Sequence, residues 1–295
     1  MAGVMMSGEE FIKIFEKNAA SIKDNTKRSK KYRAGVAILA LKAIASNDIT
    51  YLEAAIRFTN NIIDEHDRSK AYVDIVRGTS RVARITANPD LVRRALEISA
   101  KTIEGHDRSH AMEGVVSTIA EVGLKNNESD AIENAIKLAE GIEYDTYRSS
   151  SLRKIAMTLH AADNNQSALD SAIKALDIID SSNSITNPIY RTSAYIDLSK
   201  LFLDLDQIDA ANNCIKKADE SANSLINEFE RSSIYQSIVE TRLILGARTK
   251  NRIHFQRAVT SFGQITREYY RTFTMQKLKN ILIKFNEEEL IDSLT

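Results

Sequence analysis

Histidines at regular spacing are the first residues of this chain whose types could do chemistry. His106 and His110 lie four residues apart, and His66 precedes His106 by 40 residues with Asp67 beside it. Imidazoles and carboxylates that share a helix face are typical metal ligands. The alternative is that His66 and His106 fill a variable position, since other copies of the repeat defined below carry threonine, isoleucine, phenylalanine or tyrosine there. We expect the second interpretation, with no metal site.

No motif of a known catalytic chemistry accompanies these histidines. The sequence contains no Gly-x-Gly-x-x-Gly, no phosphate-binding loop ending in Gly-Lys-Ser/Thr, no His-Glu-x-x-His and no Gly-x-Ser-x-Gly. Cys214 is the one cysteine, so an internal disulfide and a multi-cysteine metal site are excluded. It stands where other repeats have alanine, which indicates an inert core thiol. We therefore expect no enzyme, no catalytic residue and no cofactor.

An arginine followed by serine or threonine recurs seven times and defines the repeat. The intervals between successive arginines are 40, 40, 40, 43, 40 and 40 residues. Self-similarity at such a period is typical of stacked helix pairs. The seven arginines, called here the arginine ladder, are Arg28, Arg68, Arg108, Arg148, Arg191, Arg231 and Arg271.

Two helices per repeat would position these side chains. Most residues four, seven and eleven positions after each arginine are apolar, as Tyr32 and Leu39 are in the first repeat, and this spacing is one stripe of a helix, called helix A. About 27 residues after each arginine, a small residue precedes a branched aliphatic one, as in Ala55-Ile56, within a second periodic segment, helix B. Polar clusters such as Ser46-Asn47-Asp48 predict the turns between them.

The two prolines of the chain mark one start of each helix type. Pro89 follows Asn88 at a helix B, and Pro188 follows Asn187 at a helix A. An asparagine cap with proline at the first helical position is a helix-start signal. In the same register, the predicted caps of three further A helices are Asp24, Asp64 and Asn227. Each ladder arginine then ends the first turn of its helix A.

The pattern resembles that of tetratricopeptide-like helical repeat proteins, from about Phe11 to about Phe285. The shared feature is the small-residue column of helix B, whereas the period is 40 rather than 34 and the Trp/Leu-Gly/Tyr signature of helix A is missing. The resemblance implies an all-α, right-handed α-solenoid of about seven stacked helix-turn-helix repeats. It would form a single domain over 11–285, after a leader at 1–10 and before an acidic tail at 286–295. A HEAT or armadillo-like solenoid is the alternative, although helix A carries no kinking proline.

Two interpretations of the arginine ladder stay open. The arginine shares its helix face with the apolar positions, so its stem could pack against the preceding repeat while the guanidinium caps the C-terminal carbonyls of a helix B or pairs with a carboxylate. The ladder could instead line a groove that grips an acidic peptide or a phosphate backbone. Recurrence in every repeat favours the structural interpretation.

Charge is balanced overall but segregated along the chain. The 295 residues include 40 basic and 40 acidic ones, and with only 10 glycines and 2 prolines the composition excludes turn-rich β and collagen-like proteins. Residues 1–124 carry a net charge of +3, 125–240 of −8, and 241–284 of +9. Aromatic residues alternate with the basic ones in this last segment. A possible patch for an anionic partner consists of Arg248, Lys250, Arg252, Arg257, Arg267, Lys277 and Lys279.

This basic segment allows three interpretations. Basic and aromatic side chains together are typical of nucleic-acid surfaces. They could equally be the solvated and core faces of amphipathic helices, with the acidic tail folded back onto them. Finally, the negative segment of one copy could meet the positive segment of another, which would give self-association.

The expected function follows from the resemblance. Tetratricopeptide-like solenoids imply a non-enzymatic scaffold or adaptor that holds a partner protein or peptide in its groove, with nucleic-acid binding through 241–284 as the alternative. The first residues show no basic and apolar pattern of a secretory signal, and no run approaches the ~20 apolar residues of a membrane span. We expect a soluble cytoplasmic protein without membrane contact.

Overall fold

A computed structural model describes residues 8–103, 105–128 and 130–292 of the chain. These residues form fourteen α-helices, one 3-10 helix and no strand. None of the described helices combines the length and apolarity needed to cross a membrane. The chain divides into two compact units, Met1–Ala162 and Asp163–Thr295. The single repeat domain over 11–285 stays a prediction.

The first unit contains eight helices in which short and long ones alternate. They are α1 (Gly8–Ala20), α2 (Asn25–Ser46), α3 (Thr50–Thr59), α4 (Glu65–Thr86), α5 (Pro89–Ser99), α6 (His106–Lys125), α7 (Ala131–Glu140) and α8 (Asp145–Ala161). Long helices α2, α4, α6 and α8 pack side by side in chain order, and α3, α5 and α7 each contact the long helices before and after them. The long helices are therefore the predicted A helices and the short ones the B helices.

The second unit also contains alternating B and A helices, although α9 is as long as α10. Its helices are α9 (Asn165–Ser181), α10 (Pro188–Asp204), α11 (Ile208–Ala222), α12 (Glu228–Thr249), α13 (Arg252–Phe262) and α14 (Glu268–Lys284), followed by a 3-10 helix at Glu288–Leu290. Helix α12 packs against α10 and α14, which are the neighbouring A helices, and against α11 and α13, which are B helices.

The predicted helix starts are confirmed. Asp24 accepts a hydrogen bond from the Lys27 amide, and Asp64 accepts one from the Asp67 amide. The same capping role is filled by Asn88, Asn187 and Asn227. These side chains satisfy amide groups that have no partner within the helix.

Helix A ends in the same way in all seven repeats. A residue in the left-handed region follows each A helix within two positions, at Asn47, Ala87, Asn127, Asp163, Asp206, Lys250 and Asn286. Asparagine and aspartate tolerate this conformation better than other residues with a side chain. The polar clusters that predict turns owe their composition to this requirement.

The small-residue column of helix B lies in the core. Ala55, Ala95 and Ala135 in the first unit are fully buried, as are Ala172, Cys214 and Ala258 in the second. At the chain ends, α1 begins at Gly8, within the segment assigned to a leader, and the 3-10 helix lies within the predicted acidic tail. Residues 1–7 and 293–295 of that leader and tail lie outside the described residues.

Candidate functional site

The arginine ladder points mainly at backbone carbonyls. Arg68 Nη1 donates to the Ile62 carbonyl at 3.4 Å, and Arg108 Nη2 donates to the Thr102 carbonyl at 3.0 Å. Arg28 and Arg271 make the corresponding contacts, to Ile22 and Ile265. In all four cases the acceptor lies six residues before the arginine, in the turn that follows a helix B.

The other three ladder arginines have different surroundings. Arg191 Nη2 donates to the Ser182 carbonyl at 2.7 Å, nine residues back, because the longer connection of that repeat moves the end of α9 away. Arg148 pairs with Asp145. Arg231 is half-buried in the first turn of α12, and its Nε is buried without a partner among the described residues.

In several repeats, the hydroxyl beside the arginine reaches forward to the turn before the next repeat. Ser29 Oγ accepts from the Ile63 amide, and Ser69 Oγ accepts from the Ile103 amide, both at 3.0 Å. Ser232 Oγ accepts from the Thr266 amide at 3.2 Å. Thr272, in the last A helix, is exposed instead and contacts Glu268 of its own helix.

Together these contacts hold three of the turns from two sides. In the second repeat, Arg68 binds the Ile62 carbonyl while Ser29 of the preceding repeat binds the Ile63 amide. The same pairing recurs at 102–103 and at 265–266. The Arg-Ser dipeptide therefore satisfies partly buried backbone groups where consecutive repeats meet, which is the geometry that the structural interpretation describes.

Much of the basic segment is occupied by carboxylates. Arg267 lies 3.6 Å from Glu228, and Lys277 lies 2.8 Å from Glu240, whose pKa is lowered by the hydrogen bonds from Lys277 and Gln236 despite its burial. Arg248 contacts Asp204 and Asp206. Lys250, Arg257 and Lys279 form no ion pair within the described part of the chain.

The acidic tail folds back onto this segment. Arg252 Nε lies 3.0 Å from a Glu287 oxygen, and its Nη2 lies 2.9 Å from a Glu289 oxygen. Such contacts are expected if the tail folds back onto the basic helices, as one of the three interpretations holds. The net charge of +9 over 241–284 is therefore no measure of the charge that is free to meet a partner.

The histidines form an aromatic cluster without the ligand set of a metal site. His106 Nε2 lies 2.7 Å from the Tyr147 hydroxyl, and the His110 ring stacks on that of Tyr147 at a centroid distance of 5.2 Å. Burial lowers the pKa of His110, and the charge of Arg77 lowers it further. No group of three or more metal-ligating side chains occurs in the described residues, and His66 is exposed.

Cys214 is a buried thiol in the B-helix column. Burial raises its pKa to about 12, so it carries a proton at neutral pH. Because the thiolate is the nucleophilic form, this cysteine has the chemistry of a core residue.

Four cavities are each lined by the residue four positions after a ladder arginine. Tyr32, Tyr72 and Tyr195 line cavities of 500, 370 and 660 Å³. Met112 lines the largest of the four, a cavity of 1150 Å³ between α5 and α7 with α6 as its floor. This α5–α7 cavity is the candidate functional site.

Smaller side chains explain the size of the α5–α7 cavity. Its floor carries Met112 in the register where the two preceding repeats carry tyrosine, and its wall carries Leu138 where α3 carries Phe58. Apolar side chains form the larger part of the lining, namely Val92, Leu96, Met112, Ile119, Val122 and Leu138, while Arg108, Ser109 and Asn134 add polar groups to it. This position is tyrosine in four repeats, methionine in two and leucine in one. Met112 is therefore no clear signal, and the sequence does not predict the cavity.

Charged residues surround the opening of the α5–α7 cavity. Arg93 on α5 and Lys137 on α7 line it from opposite walls, while Glu128 and Glu143 lie at its two ends. Arg93 is 3.0 Å from Asp90 of its own helix, an exposed pair that water and salt screen. An apolar trough with a few charged groups at its edge is typical of binding sites for ligands.

Comparisons with known proteins give no family name. No protein-family model matches the chain, and no curated protein matches it. Among solved structures, it is similar to Ton1535 from Thermococcus onnurineus NA1, at 13% identity over 92% of this chain and 99% of that chain, with a TM-score of 0.27. It is also similar to the de novo designed helical repeat protein DHR64 and to the DHF119 filament. Both are 13% identical over 92% of this chain and 98% of theirs, with TM-scores of 0.15 and 0.13.

Proposed function

We propose that this chain is a non-enzymatic scaffold or adaptor that binds a segment of a partner protein in the α5–α7 cavity. The observation that carries the proposal is the 1150 Å³ volume of this apolar cavity. It exceeds the roughly 300–1,000 Å³ of usual small-molecule pockets, so it has room for several side chains of a partner. Rigid helices on three sides reduce the ordering cost of binding.

We also propose that the helix pairs within each unit stack in the right-handed manner of tetratricopeptide-like repeats. Support comes from the alanine column of helix B, which is fully buried and lets neighbouring helices approach closely. The HEAT or armadillo-like alternative has less support, because no A helix carries a proline beyond its first turn.

The ion pairs of the basic segment speak against nucleic-acid binding as the main function. Four of the seven patch residues already pair with carboxylates. A phosphate backbone would have to displace these carboxylates, and each exchange reduces the net gain from releasing counterions.

Photocrosslinking tests the proposed function. A photoreactive amino acid replaces Leu138 in the cavity wall, and in a control it replaces the exposed Lys174 of the other unit. In cells of the native host, we expect a discrete protein adduct from position 138 that Met112→Tyr abolishes and that position 174 does not form. Absence of any adduct specific to position 138 would contradict a protein-binding cavity.

A further inference from the structure

The shape of the α5–α7 cavity constrains what binds there. Its lining follows α6 from Ser109 to Gly123, and fourteen residue steps along a helix span about 21 Å. The trough lies between two helices that run along its sides. An occupant must therefore be long and narrow, with one apolar face toward Met112 and Ile119.

Backbone chemistry selects the conformation of this occupant. The walls are helices whose backbone amides and carbonyls bond within their own helices, and the side chains that face the trough are mostly apolar. Apart from the charged residues at the edge, the polar side chains of the lining are Arg108, Ser109 and Asn134. They are too few to pair with every backbone group of an extended peptide, and each group left unpaired is costly in an apolar environment. A helix satisfies its own backbone groups and buries only side chains.

The charged residues at the edge of the trough favour particular polar residues in the occupant. Arg93 on α5 and Lys137 on α7 line the trough from its two walls, whereas the acidic lining residues Glu128 and Glu143 lie before and after α7. Lys137 is exposed and forms no ion pair with any described residue. Acidic side chains next to the apolar face of the occupant would meet both cations, and complementary charge of this kind fixes orientation and speeds association.

We propose, resting on the proposed function, that the α5–α7 cavity binds an amphipathic α-helix of about 14 residues from a partner protein. Its apolar side chains at positions i, i+3 or i+4, and i+7 contact the cavity wall, and its acidic side chains pair with Arg93 and Lys137. The partner is thus recognised by a helix face rather than by an extended motif.

A designed peptide tests this inference without knowledge of the natural partner. The probe is a fluorescein-labelled peptide of leucine, alanine and glutamate, about 15 residues long, with leucines on one face. A side-chain staple keeps it helical, since short helices are marginally stable alone. One control peptide has the same composition with its leucines distributed around the helix, and a second has lysine in place of glutamate.

Two variants fill the cavity of the full-length protein. Met112→Tyr introduces the residue that two preceding repeats carry. Ser99 Oγ, which donates to the Met112 sulfur, is placed to donate to the new hydroxyl as Thr59 Oγ1 donates to that of Tyr72. Leu138→Phe introduces the phenylalanine that α3 carries at the same repeat position, Phe58. This second variant is used if the first one fails to fold. Met275→Tyr, at the same repeat position in α14, is the matched control.

We expect the amphipathic glutamate peptide to bind at least roughly tenfold more tightly than the redistributed one, and either cavity-filling variant to weaken it by a similar factor. Met275→Tyr leaves its affinity unchanged. Lys137→Glu weakens the glutamate peptide and strengthens the lysine peptide. Equal binding of the two leucine arrangements, or full affinity in both cavity-filling variants, would overturn the inference.

Failure of this inference is distinguishable from failure of the proposed function. If crosslinking at position 138 captures a protein whose bound segment lacks an apolar helix face, the function stands and the helix specificity is wrong. If fluorescent fatty acids bind with Met112-dependent affinity while the peptide does not, the site takes a lipid and the helix inference is wrong.

Discussion

At the scale of single residues, the Arg-Ser dipeptide acts on the backbone of the turns between repeats. Ser69 is 1% exposed, and its Oγ is the acceptor for the Ile103 amide. Thr272 has the same place in the repeat but is exposed and bonds within α14. The hydroxyl of the same sequence pattern therefore contributes differently to the free energy of unfolding, depending on whether another turn packs over it.

Replacing these two hydroxyls tests that difference. Ser69→Ala removes the acceptor of the partly buried Ile103 amide, and we expect a loss of about 0.5–1.5 kcal/mol in the free energy of unfolding. Thr272→Ala should change it by less than about 0.5 kcal/mol, as is usual for surface positions. Urea unfolding followed by circular dichroism measures both. Equal effects of the two substitutions would show that the forward contact of the serine contributes nothing.

A second single residue, His254, makes the stability of the fold sensitive to acid. This side chain is 5% exposed, and its pKa is lowered by burial and by the charges of Arg242 and Arg257. The folded state therefore holds His254 neutral, whereas the unfolded chain binds a proton near the ordinary pKa of 6.5. The resulting stabilisation is fully present above pH 6.5 and is lost as the pH falls from there toward the lowered pKa of the folded state.

His254→Gln removes this proton linkage. We expect the variant to lose less stability than the parent between about pH 7.5 and about pH 5.5, since glutamine is neutral throughout. His66→Gln, at an exposed histidine, is the control and should follow the parent. Urea midpoints at the two pH values give the comparison. Parallel losses in the parent and in His254→Gln would contradict the assignment.

At the scale of elements, two glycines of α6 show where helices approach closely. A Cβ atom at Gly123 would lie 2.1 Å from that of Ala131 at the start of α7, whereas one at Gly114 would meet nothing within 4 Å. We expect Gly123→Ala to destabilise the chain by about 1–3 kcal/mol through overpacking. Gly114→Ala should stabilise it by about 0.5–1 kcal/mol through helix propensity.

Thermal denaturation of the two α6 variants checks this prediction directly. The same substitution in the same helix should shift the melting temperature in opposite directions. If Gly123→Ala were as stable as Gly114→Ala, α7 would not lie against α6 as described.

The elements themselves could be predicted from the sequence, whereas the cavity could not. Helix starts at Asp24, Asn88 and Asn227 depend on local capping chemistry, which one short segment contains in full. The cavity depends on side-chain volumes contributed by three helices at once, and Met112 alone is no clear signal of it. The carboxylate partners of the basic segment were also missed, because Glu228 and Glu240 lie nearly one repeat away in sequence.

At the scale of the whole molecule, a formal charge of zero conceals a basic segment that carboxylates of the protein neutralise in part. We expect no measurable binding of single-stranded RNA or duplex DNA by the parent chain, even at about 50 mM salt, where phosphate contacts are strong. Glu228→Gln combined with Glu240→Gln frees Arg267 and Lys277 and should create weak, salt-sensitive binding. Fluorescence anisotropy measures both, and tight, salt-sensitive binding by the parent would favour the nucleic-acid alternative.

The proposed function depends on binding of a partner segment in the α5–α7 cavity. The most direct test is NMR of the full-length chain with ¹³C-methyl-labelled methionine, during titration with the amphipathic leucine, alanine and glutamate peptide. Met112 lies in the cavity wall, whereas Met157 and Met275 lie outside it. We predict that the Met112 methyl signal shifts saturably while those of Met157 and Met275 stay in place. An unchanged Met112 signal at saturating peptide, or equal shifts at all three methionines, would contradict binding in this cavity.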